Sequence, residues 1–286
     1  MKTFKITLAY DGTGFVGWQR QAAGTSIQGL LEDALRELDQ RDVAVIGAGR
    51  TDAGVHALGQ VAGFSLERAI TPEALIRAVN GRLPDTVRVL SAVEVSPAFH
   101  ARFGARSKTY RYRIWNGDVM SPFERAYAWH VPGPLAVEPM IAAARVLEGT
   151  HDFASFQATG GERLTTERLV FSSRVGVALR PCLTAQEGAR ANQSGTGQGA
   201  GEGRLIVYEI AGNGFLRHMV RIIVGTLVEI GRGRRPVEWV DEVLASRDRA
   251  RAGPTAPAEG LILAGVEYEA DARRAEEGGP FEVRLR

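Results

Sequence analysis

The sequence predicts an α+β fold made of two related halves. Three observations carry that expectation. Apolar residues recur at helical spacing in some segments and at strand spacing in others, in the order β-α-β-β-α-β over roughly the first hundred residues. The second half echoes this mixture of strands and helices less cleanly. The second and third strands of the first half are joined by a loop too short for a crossover helix, so they should pair antiparallel.

The elements follow in order. FKITLAY (4–10) is a strand rich in β-formers, and SIQGLLEDALREL (26–38) places Ile27, Leu30, Leu31, Ala34, Leu35 and Leu38 on one helical face behind Ser26 as N-cap. DVAVIGA (42–48) and GQVAGFSL (59–66) are strands on either side of a glycine-rich loop. TPEALIRAVNGRL (71–83) is a helix with Thr71 as N-cap, Pro72 at its first position and Gly81 near its end, and VRVLSAVEV (87–95) closes the unit. This is the split βαβ order of ferredoxin-like folds. In the second half KTYRYRIW (108–115), AYAWHV (126–131), LVFSSRVGVAL (169–179), RLIVYEIAG (204–212) and LILAGVEYE (261–269) read as strands. Helices are expected at 137–149, 215–231 and 237–246. The half-boundary falls near 97–107, giving domains 1–106 and 107–270 with a loosely held tail at 271–286. The low-complexity stretch 184–203 is expected to be a flexible hairpin loop.

With 286 residues, 44% hydrophobic, 24% charged and a net charge of +2, the chain reads as soluble and globular. It has no apolar run of about 18 residues. MKTFKITLAYDG reaches Asp-Gly before a signal-peptide core is complete. Cys182 is the only cysteine, which excludes an intramolecular disulfide and a multi-cysteine metal site. A cytoplasmic protein without a membrane partner is expected. Lysine is confined to Lys2, Lys5 and Lys108, so the basic residues are nearly all arginine, whose planar fork suits phosphate and bases. Codon usage produces the same bias, and charge alone does not establish nucleic-acid binding.

Gly12-Thr13-Gly14-Phe15-Val16-Gly17 satisfies the G-x-G-x-x-G pattern of a dinucleotide-binding turn. That turn needs a helix starting at its glycines and an acid about 20 residues on, at a strand tip. Here WQRQAAGT intervenes, Glu32 and Asp33 lie inside the predicted helix, and the next strands are antiparallel. No nucleotide cofactor is expected.

The segment richest in chemistry is GAGRTDAGVHALGQVAGF (47–64), where Arg50, Thr51, Asp52 and His56 stand among Gly47, Gly49, Gly54 and Gly59. Read from these residues alone, it is either a turn in which Asp52 bonds its own backbone or a functional loop on a rigid scaffold. GRTDAGVHALGQVA resembles the catalytic motif of the tRNA pseudouridine synthase A family. YDGTGFVGWQRQ (10–21), SIQGLLEDAL (26–35), FHARFGARSKTYRYRI (99–114), HDFASF (151–156) and NGFLRHMVRIIVGTLVEIGRG (213–233) match that family in order, from about residue 4 to 269.

The resemblance implies two ferredoxin-like (RRM-like) halves sharing a continuous, mainly antiparallel sheet, with the active-site cleft between them. It implies isomerisation of uridine to pseudouridine in the anticodon arm of tRNA, at positions 38, 39 and 40, by a homodimer. Asp52 corresponds to the catalytic aspartate, as nucleophile or base. Nothing is oxidised or hydrolysed overall, so no cofactor and no metal is implied. Tyr110 aligns with the active-site tyrosine, although Tyr112 shares its strand face by period two. Arg221 aligns with the basic partner of the aspartate, leaving Arg50 to guide the RNA; without the resemblance, Arg217 and Arg221 at i, i+4 read as the solvated face of a helix. His56, Arg106, Arg111 and Arg113 are the further candidates for RNA contact. The other histidines show no metal-ligand spacing. A non-catalytic RNA-binding protein on the same scaffold is the rival reading, opposed by the joint presence of Asp52, Arg50, Tyr110 and Arg221.

Overall fold

A computed structural model of the chain describes residues 1–158, 165–178 and 203–269. Cys182, the Gly-rich stretch up to residue 202 and the expected tail lie outside the described residues. The chain forms two compact units, one from Met1–Tyr110, Ala211–Gly214 and the described residues after Leu261, the other from Arg111–Ile210 and Phe215–Leu261. Both mix helices with strands, and most of the strand pairs are antiparallel.

The first unit begins with β1 (Lys2–Tyr10), α1 (Ile27–Asp39), β2 (Ile46–Gly47), β3 (His56–Leu66), α2 (Pro72–Asn80) and β4 (Val87–Val95). β1 lies between β3 and β4, antiparallel to both, and β2 pairs antiparallel with β3. Period-two alternation in β1 sends Phe4, Ile6, Leu8 and Tyr10 into the core, where α1 adds Ile27, Leu31, Ala34, Leu35 and Leu38. The Ser26 hydroxyl accepts from the Gly29 amide and the Thr71 hydroxyl from the Ala74 amide, so both helices start where their caps predict. The expected strand 42–48 shrinks to Ile46–Gly47, and the Val45 backbone just before it turns to side chains of α1. Gln28 donates to the Val45 carbonyl (3.0 Å), and the Val45 amide points at Glu32 Oε1 (3.4 Å).

The second unit takes most of β5 (Ala105–Asn116), then β6 (Trp129–Val131), α3 (Val137–Arg145), β7 (Gly149–Asp152), β8 (Glu167–Val177), β9 (Arg204–Gly212), α4 (Met219–Gly231) and α5 (Trp239–Ser246). Its strands lie in the order β5-β9-β8-β7. HDFASF leads from β7 into one 3₁₀ turn, which buries Phe153 and Phe156 and hydrogen-bonds the Ser155 hydroxyl to the Val243 carbonyl. β10 (Leu261–Tyr268) runs parallel to β3, with Ile262 opposite His56 and Leu263 opposite Ala57.

α4 is not the amphipathic surface helix that i, i+4 arginines suggest. His218 takes a left-handed conformation (φ 60°), the helix starts at Met219, and exposed Arg217 precedes it. Within the helix every residue except Arg221 and Glu229 is buried. Such a helix belongs to a core.

Candidate active site

The loop between β2 and β3 carries Arg50, Thr51 and Asp52, and its backbone is held from two directions. From beneath, the buried Tyr10 hydroxyl hydrogen-bonds Thr51 Oγ1 (2.8 Å), and fully buried Gln60 donates to the Gly49 carbonyl (3.0 Å). Burial pushes the Tyr10 phenol up to about 12, against the smaller opposing effect of its bonds to Thr51 and Gln60. The Val55 amide closes a turn onto the Asp52 carbonyl (3.1 Å), with Gly54 at φ 76°. Thr51 is thereby buried, Asp52 half-buried and Arg50 exposed.

From the other direction comes the glycine-rich loop after β1. The Trp18 amide donates to the Thr51 carbonyl (3.1 Å). A Cβ on Gly12 would lie 2.1 Å from the Val55 carbonyl oxygen, and one on Gly17 (φ 104°) 2.5 Å from that of Thr51. The pattern that resembles a pyrophosphate turn thus brings two backbones together. His56 is buried here: its Nδ1 accepts from the Gly12 amide (2.9 Å) and lies 3.1 Å from Asp11 Oδ1. Arg50 Nε donates to Gln19 Oε1 (3.0 Å), and Gln19 in turn donates to Gln28 of α1 (2.7 Å), so the exposed guanidinium stands on a polar relay.

β5 supplies the remaining wall. Lys108 reaches Gly49, with Nζ 3.4 Å from where a Cβ would stand. Tyr110 is buried, and its hydroxyl titration is displaced upward by burial first and then by Tyr10 and Asp52. The phenol is therefore neutral across the physiological range and feels the Asp52 carboxylate. Tyr112, two residues on, donates to the Pro257 carbonyl (2.8 Å) and packs under Gly260.

The sequence of the chain matches the profile of a family described as tRNA pseudouridine synthase over residues 6–104 and 143–269. The chain belongs to that family. Three relatives bear the name tRNA pseudouridine synthase A. The protein of Moorella thermoacetica is 45% identical over 94% of this chain and all of its own length. That of Myxococcus xanthus is 45% identical over 94% of this chain and 92% of its own. That of Pelobacter propionicus is 42% identical over 94% of this chain and all of its own. A tRNA pseudouridine synthase is an isomerase, and this chain is an enzyme of that class.

Of the residues singled out for this synthase, Asp52, Arg50, His56 and Tyr110 fall in the first unit, around one loop. Arg106 belongs to the same unit but is exposed, 3.7 Å from Glu269. Arg111, Arg113 and Arg221 belong to the second unit. There Arg111 pairs with Glu209 (2.6 Å), and Arg113 with the buried Glu124 (2.7 Å). Arg221 donates through Nε to the Ala256 carbonyl (2.7 Å) and accepts at its own carbonyl from the Ala256 amide (3.0 Å), pinning the loop after α5 to α4. Sequence reasoning missed Tyr10, Gln60 and Lys108. Period two already turned Tyr10 inward, but nothing local said that its hydroxyl meets Thr51. Among the described residues no group of His, Cys, Asp and Glu is arranged to hold a metal, and no helix is long and apolar enough to cross a membrane.

Proposed function

We propose that the enzyme converts uridine to pseudouridine in the anticodon arm of tRNA, at positions 38, 39 and 40, with Asp52 as its catalytic group and no cofactor. The N1–C1′ bond breaks, the uracil turns, C5 joins C1′, and the proton lost from C5 is balanced by one gained at N1. An ionised carboxylate serves either opening step, attack on C1′ or proton removal from the sugar. The observation that carries this reading is the setting of Asp52: a half-buried carboxylate on a loop braced by Tyr10 and by the 12–17 loop, beside a neutral buried phenol.

Tyr110 is assigned to the extruded uracil, by its ring and hydroxyl, and Arg50 and Arg221 to substrate binding. Arg106, Arg111 and Arg113 are assigned to RNA contact, each exchanging a carboxylate (Glu269, Glu209 and Glu124) for a phosphate. His56, buried against Asp11 and the Gly12 amide, is best suited to ordering the loop that meets the RNA. The reading includes two ferredoxin-like halves, supported in the first unit by the strand order β4-β1-β3-β2 with two helices. It also includes a cytoplasmic homodimer.

The test is tritium release from tRNA labelled at uracil C5. Wild type should release label from the anticodon arm and Asp52→Ala should not. No release by wild type would leave the RNA-binding rival, and release undiminished in Asp52→Ala would remove that residue from catalysis.

A further inference from the structure

The segment from Ser96 to Tyr110 contains His100, Arg102, Arg106 and Lys108 and no acidic residue. At its centre Phe103 is 78% exposed. A lone exposed apolar side chain needs no explanation, but Phe103 is not alone. Its ring centroid lies 4.4 Å from that of His100, and the Arg102 guanidinium stands 5.5 Å from its centre.

The support beneath it is hydrogen-bonded and packed. His100 Nδ1 accepts from both the Arg102 and the Phe103 amides (3.2 Å each), and the Gly104 amide returns to the His100 carbonyl (2.9 Å). The Tyr268 hydroxyl donates to the carbonyl of buried Ala101 (2.5 Å), Phe99 packs on the Tyr268 ring (5.3 Å), and Lys5 lies over that ring (4.7 Å). Folding has fixed an aromatic face toward solvent inside a cationic stretch that leads directly into Lys108 and Tyr110. An exposed ring flanked by guanidinium and imidazole is what an unstacked nucleobase binds, by stacking and cation–π contact, while the surrounding charge holds phosphate. An apolar protein partner would gain nothing from the guanidinium and ammonium groups of Arg102, Arg106 and Lys108.

We propose that Phe103, with Arg102 and His100, is a stacking platform for an unpaired base of the RNA substrate. The platform binds RNA and touches no reacting atom. It rests on the reading of the protein as an RNA-modifying enzyme, and its test separates the two.

The probe is unmodified tRNA transcript, with binding followed by filter retention and turnover by pseudouridine formation. Phe103→Ala should weaken binding about tenfold, the scale of one base–aromatic stack, and leave the rate at saturating tRNA unchanged. Phe103→Trp should restore affinity, and its added fluorescence should be quenched by tRNA beyond the quenching of wild type. Wild-type affinity in Phe103→Ala, or no added quenching in Phe103→Trp, overturns the platform. So does a changed association state in Phe103→Ala with RNA affinity intact, which would assign the ring to a protein partner. Should wild type bind tRNA through Phe103 yet form no pseudouridine, the platform stands and the catalytic reading falls.

Discussion

Tyr110 and Tyr112 stand two residues apart on one strand face, and only their surroundings separate them. Tyr112 spends its hydroxyl on the Pro257 carbonyl, so Tyr112→Phe should cost about 1 kcal/mol in urea denaturation with pseudouridine formation preserved. Tyr110→Phe should instead leave the fold intact and slow turnover by about 100-fold, measured under single-turnover conditions; equal effects of the two substitutions would refute the distinction. That Asp52 and Arg50 share one loop was legible because their motif is local. Tyr10 and Gln60 were not, since the hydroxyl and amide that brace Thr51 and Gly49 arrive from β1 and β3. For the same reason Gly17→Ala should act at a distance in sequence. Its Cβ would meet the Thr51 carbonyl at 2.5 Å with φ at 104°, so stability should fall by about 1–3 kcal/mol. Turnover should fall with it, because the displaced carbonyl belongs to the residue before Asp52.

At the scale of elements, caps and periodicity located α1 and α2, because Ser26 and Thr71 act within one turn of the backbone they cap. Strand spacing overstated the segment 42–48, where the Val45 backbone is taken by Gln28 and Glu32 of α1, a partnership no local pattern encodes. Helical spacing likewise ran on past the left-handed His218 and placed Arg217 in a helix that begins after it. α4 carries its own test. Gly225 lets the Pro254 carbonyl approach so closely that a Cβ would be 1.8 Å from its oxygen, and one turn earlier Arg221 grips Ala256 of the same loop. Gly225→Ala should therefore cost about 1–3 kcal/mol and raise KM for tRNA by loosening the loop that orients Arg221, whereas unaltered kinetics would show that the loop does not set this side chain. β4 offers a second case. The Asn80 side chain donates to the Val89 carbonyl (2.9 Å) and accepts from its amide (2.8 Å), engaging the backbone of β4, which ends the strand order beside β1. Asn80→Ala should both destabilise and promote self-association, read by light scattering.

For the whole molecule, the buried tyrosines set the alkaline limit of stability. Tyr10, Tyr110, Tyr112 and Tyr208 all titrate above the ordinary tyrosine range, chiefly because burial disfavours the phenolate. In the unfolded chain each phenol releases its proton near pH 10. Between that pH and the folded-state value the unfolded chain has lost a proton that the folded chain keeps, so the equilibrium moves toward unfolding as pH rises. The contribution is complete below about pH 10 and disappears as pH climbs through the folded-state value, which for Tyr10 is about 12. For Tyr10 alone that displacement corresponds to about 3 kcal/mol. The arginine ion pairs, such as Arg20 with Glu32 and Asp33, stay charged over the same interval, so they neither offset nor imitate the trend. Urea midpoints should hold between pH 8 and 9.5 and then fall steeply toward pH 11, with a shallower fall in Tyr10→Phe. Midpoints that stay level to pH 11 would mean that these phenols are reached by solvent, and the brace under Thr51 would then be a wet contact with no hold on Asp52.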